Sequence, residues 1–143
     1  MKAADLNFED IRIGAIYQFT KKIVADDVLN FAKYTGDHNP LHVDKAFGVN
    51  SQFEQNIVHG MLAGSLFSTL VGMYCPGRKS LYLSQTLNFK LPIFYDDTII
   101  VKGTVKAQNE AIQLITLITE IIKDDKVCIS GEAKIKLIEE KHD

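Results

Sequence analysis

Between Met61 and Tyr74 the chain is apolar or small on nearly every helical face. A helix of that kind has no polar side to offer water, so it is expected to be buried all round. It is too short to cross a bilayer, which takes ~20 apolar residues. Other parts of the chain must therefore wrap it, and the second half has the pattern to do so. Leu81, Leu83, Leu87, Phe89 and Leu91 alternate with Tyr82, Ser84, Thr86, Asn88 and Lys90, the period of a strand. Ile99, Val101, Val105 and Ala107 repeat that period after a turn near Asp96-Asp97. Ile112 to Ile122 is β-branched and aliphatic on both faces, which predicts a strand covered on both sides. Lys123-Asp124-Asp125-Lys126 turns the chain, and Val127, Ile129, Ala133, Ile135 and Leu137 alternate again. One buried helix followed by four strands on short turns predicts an α+β fold, an antiparallel sheet wrapped on that helix.

The first half is read the same way. Ile16 to Val24 has the pattern of a strand interrupted by Lys21 and Lys22. Asp26 and Asp27 stand where a helix start favours acceptors and negative charge. Val28, Phe31 and Ala32 follow at helical spacing, and Gly36 is placed to end that helix. The turn formers Gly36-Asp37-His38-Asn39-Pro40 come next, then a short helix over Asp44 to Gly48. No repeat, low-complexity stretch or linker divides the 143 residues, so one domain over 1–143 is expected. Sixteen Lys and Arg against eighteen Asp and Glu give a net charge of −2, which recruits neither nucleic acid nor an anionic membrane. The segment MKAADLNFED is acidic and lacks the apolar core of a secretory signal. Cys75 and Cys128 lie far apart and match neither a disulfide framework nor a metal spacing. A soluble, cytoplasmic protein is expected.

Two segments carry candidate chemistry. The first is Phe31 to His42, FAKYTGDHNPLH, which puts an acid and an imidazole on one loop. Asp37 and His42 would approach across a turn stiffened by Pro40, with Asn39 free to hydrogen-bond the local backbone. The bland alternative is a capping Asp and an ordinary loop His. The second segment, Ile57 to Ser65, has Gly60 where the buried helix opens. Free N–H groups at such an end favour partial negative charge, as on a carbonyl oxygen in a transition state. A glycine needed only by the turn is the alternative. Met61, Ser65, Ser68 and Gly72 share one helix face, a stripe that permits close packing; Ser68 would also reach Asp37 by a hydrogen bond. His59 is expected to be structural and His38 exposed. His38, His42, His59 and Asp37 fit no compact metal motif, so no metal is expected. Arg78-Lys79 either meets a ligand phosphate or forms a solvated turn. No phosphate-binding glycine pattern and no G-x-S-x-G nucleophile is present.

Taken together, GDHNPLHVD followed by FEQNIVHGML resembles the MaoC-like, (R)-specific enoyl-CoA hydratase family. The resemblance continues into YLSQTLNFKLPIFYDD and covers nearly the whole chain. It implies the hot-dog fold, a long helix wrapped in an antiparallel sheet, and a homodimer. It implies Asp37 and His42 as the catalytic pair, Gly60 as the amide that receives the thioester carbonyl, and Ser68 as a supporting serine. The reaction implied is addition of water to a trans-2-enoyl-CoA. Which of Asp37 and His42 is base and which acid stays open, with Asp37 as base in the hydration direction taken as the working assignment. CoA belongs to the substrate, and no cofactor is implied. Three alternatives stay open at this point: a 3-hydroxyacyl dehydratase acting on acyl carrier protein, a hot-dog thioesterase, and a non-catalytic acyl-CoA-binding module.

Overall fold

The computed structural model describes residues 1–141. After a single 3₁₀ turn at Phe8–Asp10, strand β1 spans Ile16–Lys22 and helix α1 spans Ala25–Thr35. The start of α1 is fixed by Asp27, whose Oδ2 accepts from the Val24 amide at 2.9 Å. Its end is fixed by Gly36, which takes φ 83° and returns its N–H to Ala32 O at 2.8 Å. Two short helices follow, α2 at Pro40–Val43 and α3 at Lys45–Val49. Helix α3 is the short helix expected from the sequence; α2 lies where only a loop was expected.

Helix α4 runs Gly60–Thr69 and then widens into a single π turn at Leu70–Tyr74. The remaining strands are β2 at Ser80–Gln85, β3 at Asn88–Phe89, β4 at Thr98–Asn109, β5 at Leu114–Lys123 and β6 at Lys126–Leu137. They form one antiparallel sheet in the order β1-β4-β5-β6-β2, with β3 also paired to β6. Strand β5 is central, and Ile115, Thr116 and Leu117 are buried in succession, as expected for a strand covered on both faces. The β5–β6 hairpin turns on Asp124 and Asp125, at φ 49° and 61°, the double left-handed turn that matches strand twist.

The sheet wraps α4 in two stages. Ala63, Phe67 and Leu70 pack with Ile99, Val101, Ile121 and Ile129. Farther along, Val71 and Cys75 pack with Val105, Ile115, Leu117 and Ile135. This is the α+β, hot-dog arrangement that the pattern and the resemblance imply. Two expectations need correction. Helix α4 is not buried all round: Met61 is 59% exposed, and Ser65 and Ser68 face outward with it, because the sheet curves over one side only. The strand expected over Leu81 to Leu91 is broken after Gln85. There the Thr86 carbonyl crosses Gly131 so closely that a Cβ would stand 1.8 Å from its oxygen. At this sheet edge it is Tyr82 that turns inward, while Leu81 and Leu83 point to solvent.

Candidate active site

The left-handed Gly36 reverses the chain at the end of α1, and short polar contacts fold the loop beyond it. The Asp37 amide donates to Thr35 Oγ1 at 3.2 Å, and the Asn39 amide donates to Asp37 Oδ1 at 3.2 Å. Asn39 then caps α2, its Oδ1 accepting from the Leu41 amide at 3.0 Å, with Pro40 in the first helical position. The single turn of α2 carries His42 inward, to half-buried.

Three residues hold this turn in place, of which the sequence marked only His59, as structural. Asn56 Nδ2 donates to Leu41 O at 3.0 Å and to Asp44 O at 2.8 Å, and lies 3.4 Å from Pro40 O. Tyr95 donates its hydroxyl hydrogen to His42 O. His59, 2% exposed, lies 3.0 Å from the Asp37 carbonyl through Nε2 and stacks on His42 with ring centroids 4.0 Å apart. No spacing rule links Asn56 or Tyr95 to this loop, because the fold alone brings them there. The V-H-G sequence ahead of α4 marked a helix start, which explains Gly60 but not what His59 holds.

These contacts set the tautomers. His42 Nδ1 lies 2.8 Å from Ile57 O, and a carbonyl only accepts, so the hydrogen sits on Nδ1 and Nε2 is left to exchange a proton. By the same logic His59 Nε2 donates to Asp37 O, and its buried Nδ1 finds no partner among the described residues. Burial lowers the His59 pKa, outweighing the hydrogen bond to the Asp37 carbonyl and the nearby Asp37 carboxylate, which favour the charged ring. The neutral ring is favoured.

Asp37 and His42, the sequence-predicted pair, are brought together. One carboxylate oxygen of Asp37 and one ring nitrogen from each of His42 and His59 all lie within 4.8 Å of one another. Two hydrogen bonds of about 2.8 Å through one water span nearly that distance. The three side chains are not a ready chelate: the imidazoles are stacked, so their in-plane lone pairs do not converge. One nitrogen of each ring is also engaged by a carbonyl.

His42 and Gly60 line one cavity of about 450 Å³, walled by Phe53, Met61, Phe89, Leu91 and Ile93. Among the described residues no acceptor faces the Gly60 amide, whereas the Leu62 and Ala63 amides both donate to His59 O. A Cβ at position 60 would stand 2.7 Å from the Phe89 ring, so only glycine leaves this amide approachable. Ser68 is not brought to Asp37. It lies about 12 Å along α4 from Gly60, exposed, with no hydrogen bond to Asp37 among the described residues. His38 is exposed, as expected. Arg78 pairs with Glu140 at 2.7 Å and Lys79 with Asp5 at 3.0 Å, so both cations already have carboxylate partners.

Known proteins share this frame. Residues 11–126 match the model of the MaoC like domain family. The chain is 40% identical over 133 residues to an (R)-specific enoyl-CoA hydratase of Aeromonas caviae, covering 92% of this chain and 99% of that one. It is 38% identical over 130 residues to a mitochondrial 3-hydroxyacyl-[acyl-carrier-protein] dehydratase of Solanum lycopersicum, covering 89% and 78%. An R-hydratase of Pseudomonas aeruginosa superposes with a TM-score of 0.91 at 31% identity, covering 96% of this chain and 89% of the other.

Proposed function

Because this chain belongs to the MaoC-like family, we propose that it is an (R)-specific enoyl-CoA hydratase. It adds water reversibly across the double bond of a trans-2-enoyl-CoA to give an (R)-3-hydroxyacyl-CoA. The observation that carries this reading is the Asp37–His42 pair set beside an apolar cavity that ends on an unshared amide. Water is held between the Asp37 carboxylate and His42 Nε2. In hydration Asp37 takes the water's proton as the oxygen bonds to C3. His42, entering the cycle with a proton on Nε2 as well as on Nδ1, gives the Nε2 proton to C2 and is left neutral. Passage of the proton from Asp37 back to Nε2 resets the pair. In dehydration the roles reverse. The Gly60 amide receives the thioester oxygen, which gains charge as C3 is attacked. An acid–base group of this kind contributes ~10²–10⁴-fold, and one oxyanion donor roughly 3 kcal/mol, so neither suffices alone. CoA comes with the substrate, and the chemistry calls for no cofactor.

The decisive assay follows loss of enoyl absorbance with crotonyl-CoA and longer enoyl-CoAs, with chiral analysis of the product. Expected is an (R)-3-hydroxyacyl-CoA without CoA release. CoA release with the double bond intact would mean a thioesterase instead, and no turnover would leave an acyl-CoA-binding module. A second reading, a 3-hydroxyacyl dehydratase acting on acyl carrier protein, is favoured by the tomato relative. Running the same assay with an acyl-carrier-protein thioester separates the two.

The working unit in this proposal is a homodimer of one-domain chains, 1–143. Strand β2 leaves an open sheet edge with Leu81 and Leu83 outward, and Phe89 and Met61 at the cavity wall are more than half exposed. A second copy laid along that edge would cover them together with the bare flank of α4. Light scattering should give twice the chain mass of 16.0 kDa; the monomer mass at micromolar concentration would rule the dimer out. Among the described residues no helix is long and apolar enough to cross a membrane. The two buried free cysteines suit a reducing compartment, and the cytoplasm is proposed as the setting.

A further inference from the structure

We infer that His59 is the positioning residue of the Asp37–His42 pair, holding the backbone of one and the ring of the other. This inference rests on the proposal that Asp37 and His42 perform the chemistry. Three contacts meet on the one imidazole. Its Nε2–H donates to the Asp37 carbonyl at 3.0 Å, 22 residues away in the chain. Its face stacks on His42 at 4.0 Å, and Phe31 meets it at a tilt with ring centroids 4.8 Å apart. The His59 backbone is anchored, because the residue is the N-cap of α4, directly before Gly60, and its carbonyl accepts from the Leu62 and Ala63 amides. The start of α4 therefore sets the position of the loop that carries Asp37, the tilt of His42 and the amide of Gly60 at once.

The contacts also demand a neutral ring. Among the described residues Nδ1 is buried without a partner, so a second hydrogen there would be an unmet buried donor on a ring stacked against the group that must itself carry charge in the cycle. Asp37 Oδ2, at 4.0 Å from Nε2, is too far to form a hydrogen bond with it. His59 thus lets His42 gain and lose a proton without a charged neighbour in the stack.

The roles separate by substitution. His59→Gln keeps an amide N–H near the position of Nε2 and gives up the ring. His59→Phe keeps the stack and gives up the donor, and His59→Asn, whose amide is too short to reach, serves if the Phe variant fails to fold. Kinetics with crotonyl-CoA should show kcat per folded molecule lowered about tenfold to a hundredfold in His59→Phe with KM little changed. That is the pattern of a misplaced reacting group rather than weakened binding. His59→Gln should recover most of the loss. Turnover within twofold of wild type in His59→Phe, or equal impairment of the Phe and Gln variants, would overturn the inference. Asp37→Asn and His42→Gln measured alongside keep the cases apart. If those two remain active the catalytic pair is wrong, and if they are inactive while His59→Phe is not, only the role of His59 falls.

Discussion

The β4–β5–β6 ladder and the stretch from Asp37 to Asn56 are equally well formed, yet almost nothing that holds one holds the other. Ile99, Val101, Ile115, Leu117, Ile121 and Ile135 in the ladder are fully buried, and each contributes apolar area that its neighbours also contribute. Among residues 37–56 only Gly48 is buried. That stretch keeps its shape through side chains bonded to backbone groups: Asn39 and Asp44 as caps, Asn56 across three carbonyls, and His42 and His59 against one carbonyl each. Apolar packing is redundant and indifferent to direction, whereas a hydrogen bond fixes an angle. A fold can tolerate the loss of one methyl group in many, but a site whose reacting atoms must sit within a fraction of an ångström needs contacts of the second kind.

If that division holds, the largest effects on turnover come from the polar stretch with the ladder untouched. Asp37→Asn and His42→Gln should each lower kcat by roughly 10²-fold or more. Their melting temperatures should stay near that of wild type, because Asp37 is exposed and His42 only half-buried. Steady-state rates and a melting curve on the same preparation test this. Activity within a few-fold in either variant removes that residue from the chemistry.

Gly60→Ala sharpens the comparison at the junction of the two regions, where α4 leaves the core for the cavity. The new methyl would stand 2.7 Å from Phe89, a ring at the cavity wall rather than in the core, so this ring and not the core must shift. Stability should therefore fall modestly. A swung ring and a shielded amide should cut kcat/KM by about two orders of magnitude, as for loss of an oxyanion donor. The opposite ordering, a marked drop in melting temperature with turnover per folded molecule preserved, would mean that the glycine serves only the turn.

A crossed pair then tries to break the division outright. Ile121→Ala should cost about 2–5 kcal/mol of stability and leave kcat per folded molecule unchanged. Asn56→Ala strips donors from the part-buried Leu41 carbonyl and the exposed Asp44 carbonyl and should cost about 1 kcal/mol, while kcat falls roughly tenfold as α2 shifts. Denaturant titration beside turnover measures both. If Ile121→Ala proves the more damaging to kcat, apolar packing and not the polar network sets the site.

The same division explains what was legible in the sequence. Periodicity marked the wrapped helix and β1, β4, β5 and β6 but ran β2 and β3 together as one strand, and Gly36 and the Asp27 cap were visible because capping is local. The acid–imidazole loop and Gly60 stood out because their residue types are rare in that company. Hidden were the contacts between distant segments: Asn56 to α2, Tyr95 to His42 O, and His59 to the Asp37 carbonyl. Hidden too was which face of Leu81 to Leu91 turns inward, since an open sheet edge and a covered one share the same alternation. Ser68 shows the converse. Its place in the resemblance is clear, but in the single chain it points to solvent on the flank that the proposed dimer covers.

The smallest expected effect is an acid-side loss of stability traceable to His59. In the folded chain burial holds its pKa below the usual histidine value, while the unfolded chain titrates near 6.5. Above pH 7 the ring is neutral in both states and contributes no slope. As pH falls through about 6.5 the unfolded chain takes up a proton first, so unfolding becomes easier; the loss levels off only below the folded pKa. His59→Gln has no group to titrate there. The melting temperature of wild type minus that of His59→Gln should therefore be flat from pH 7 to 8 and decline below about pH 6.5. Parallel curves down to pH 4.5 would show that the ring is not held neutral, and that the site loop tolerates a charge at its centre.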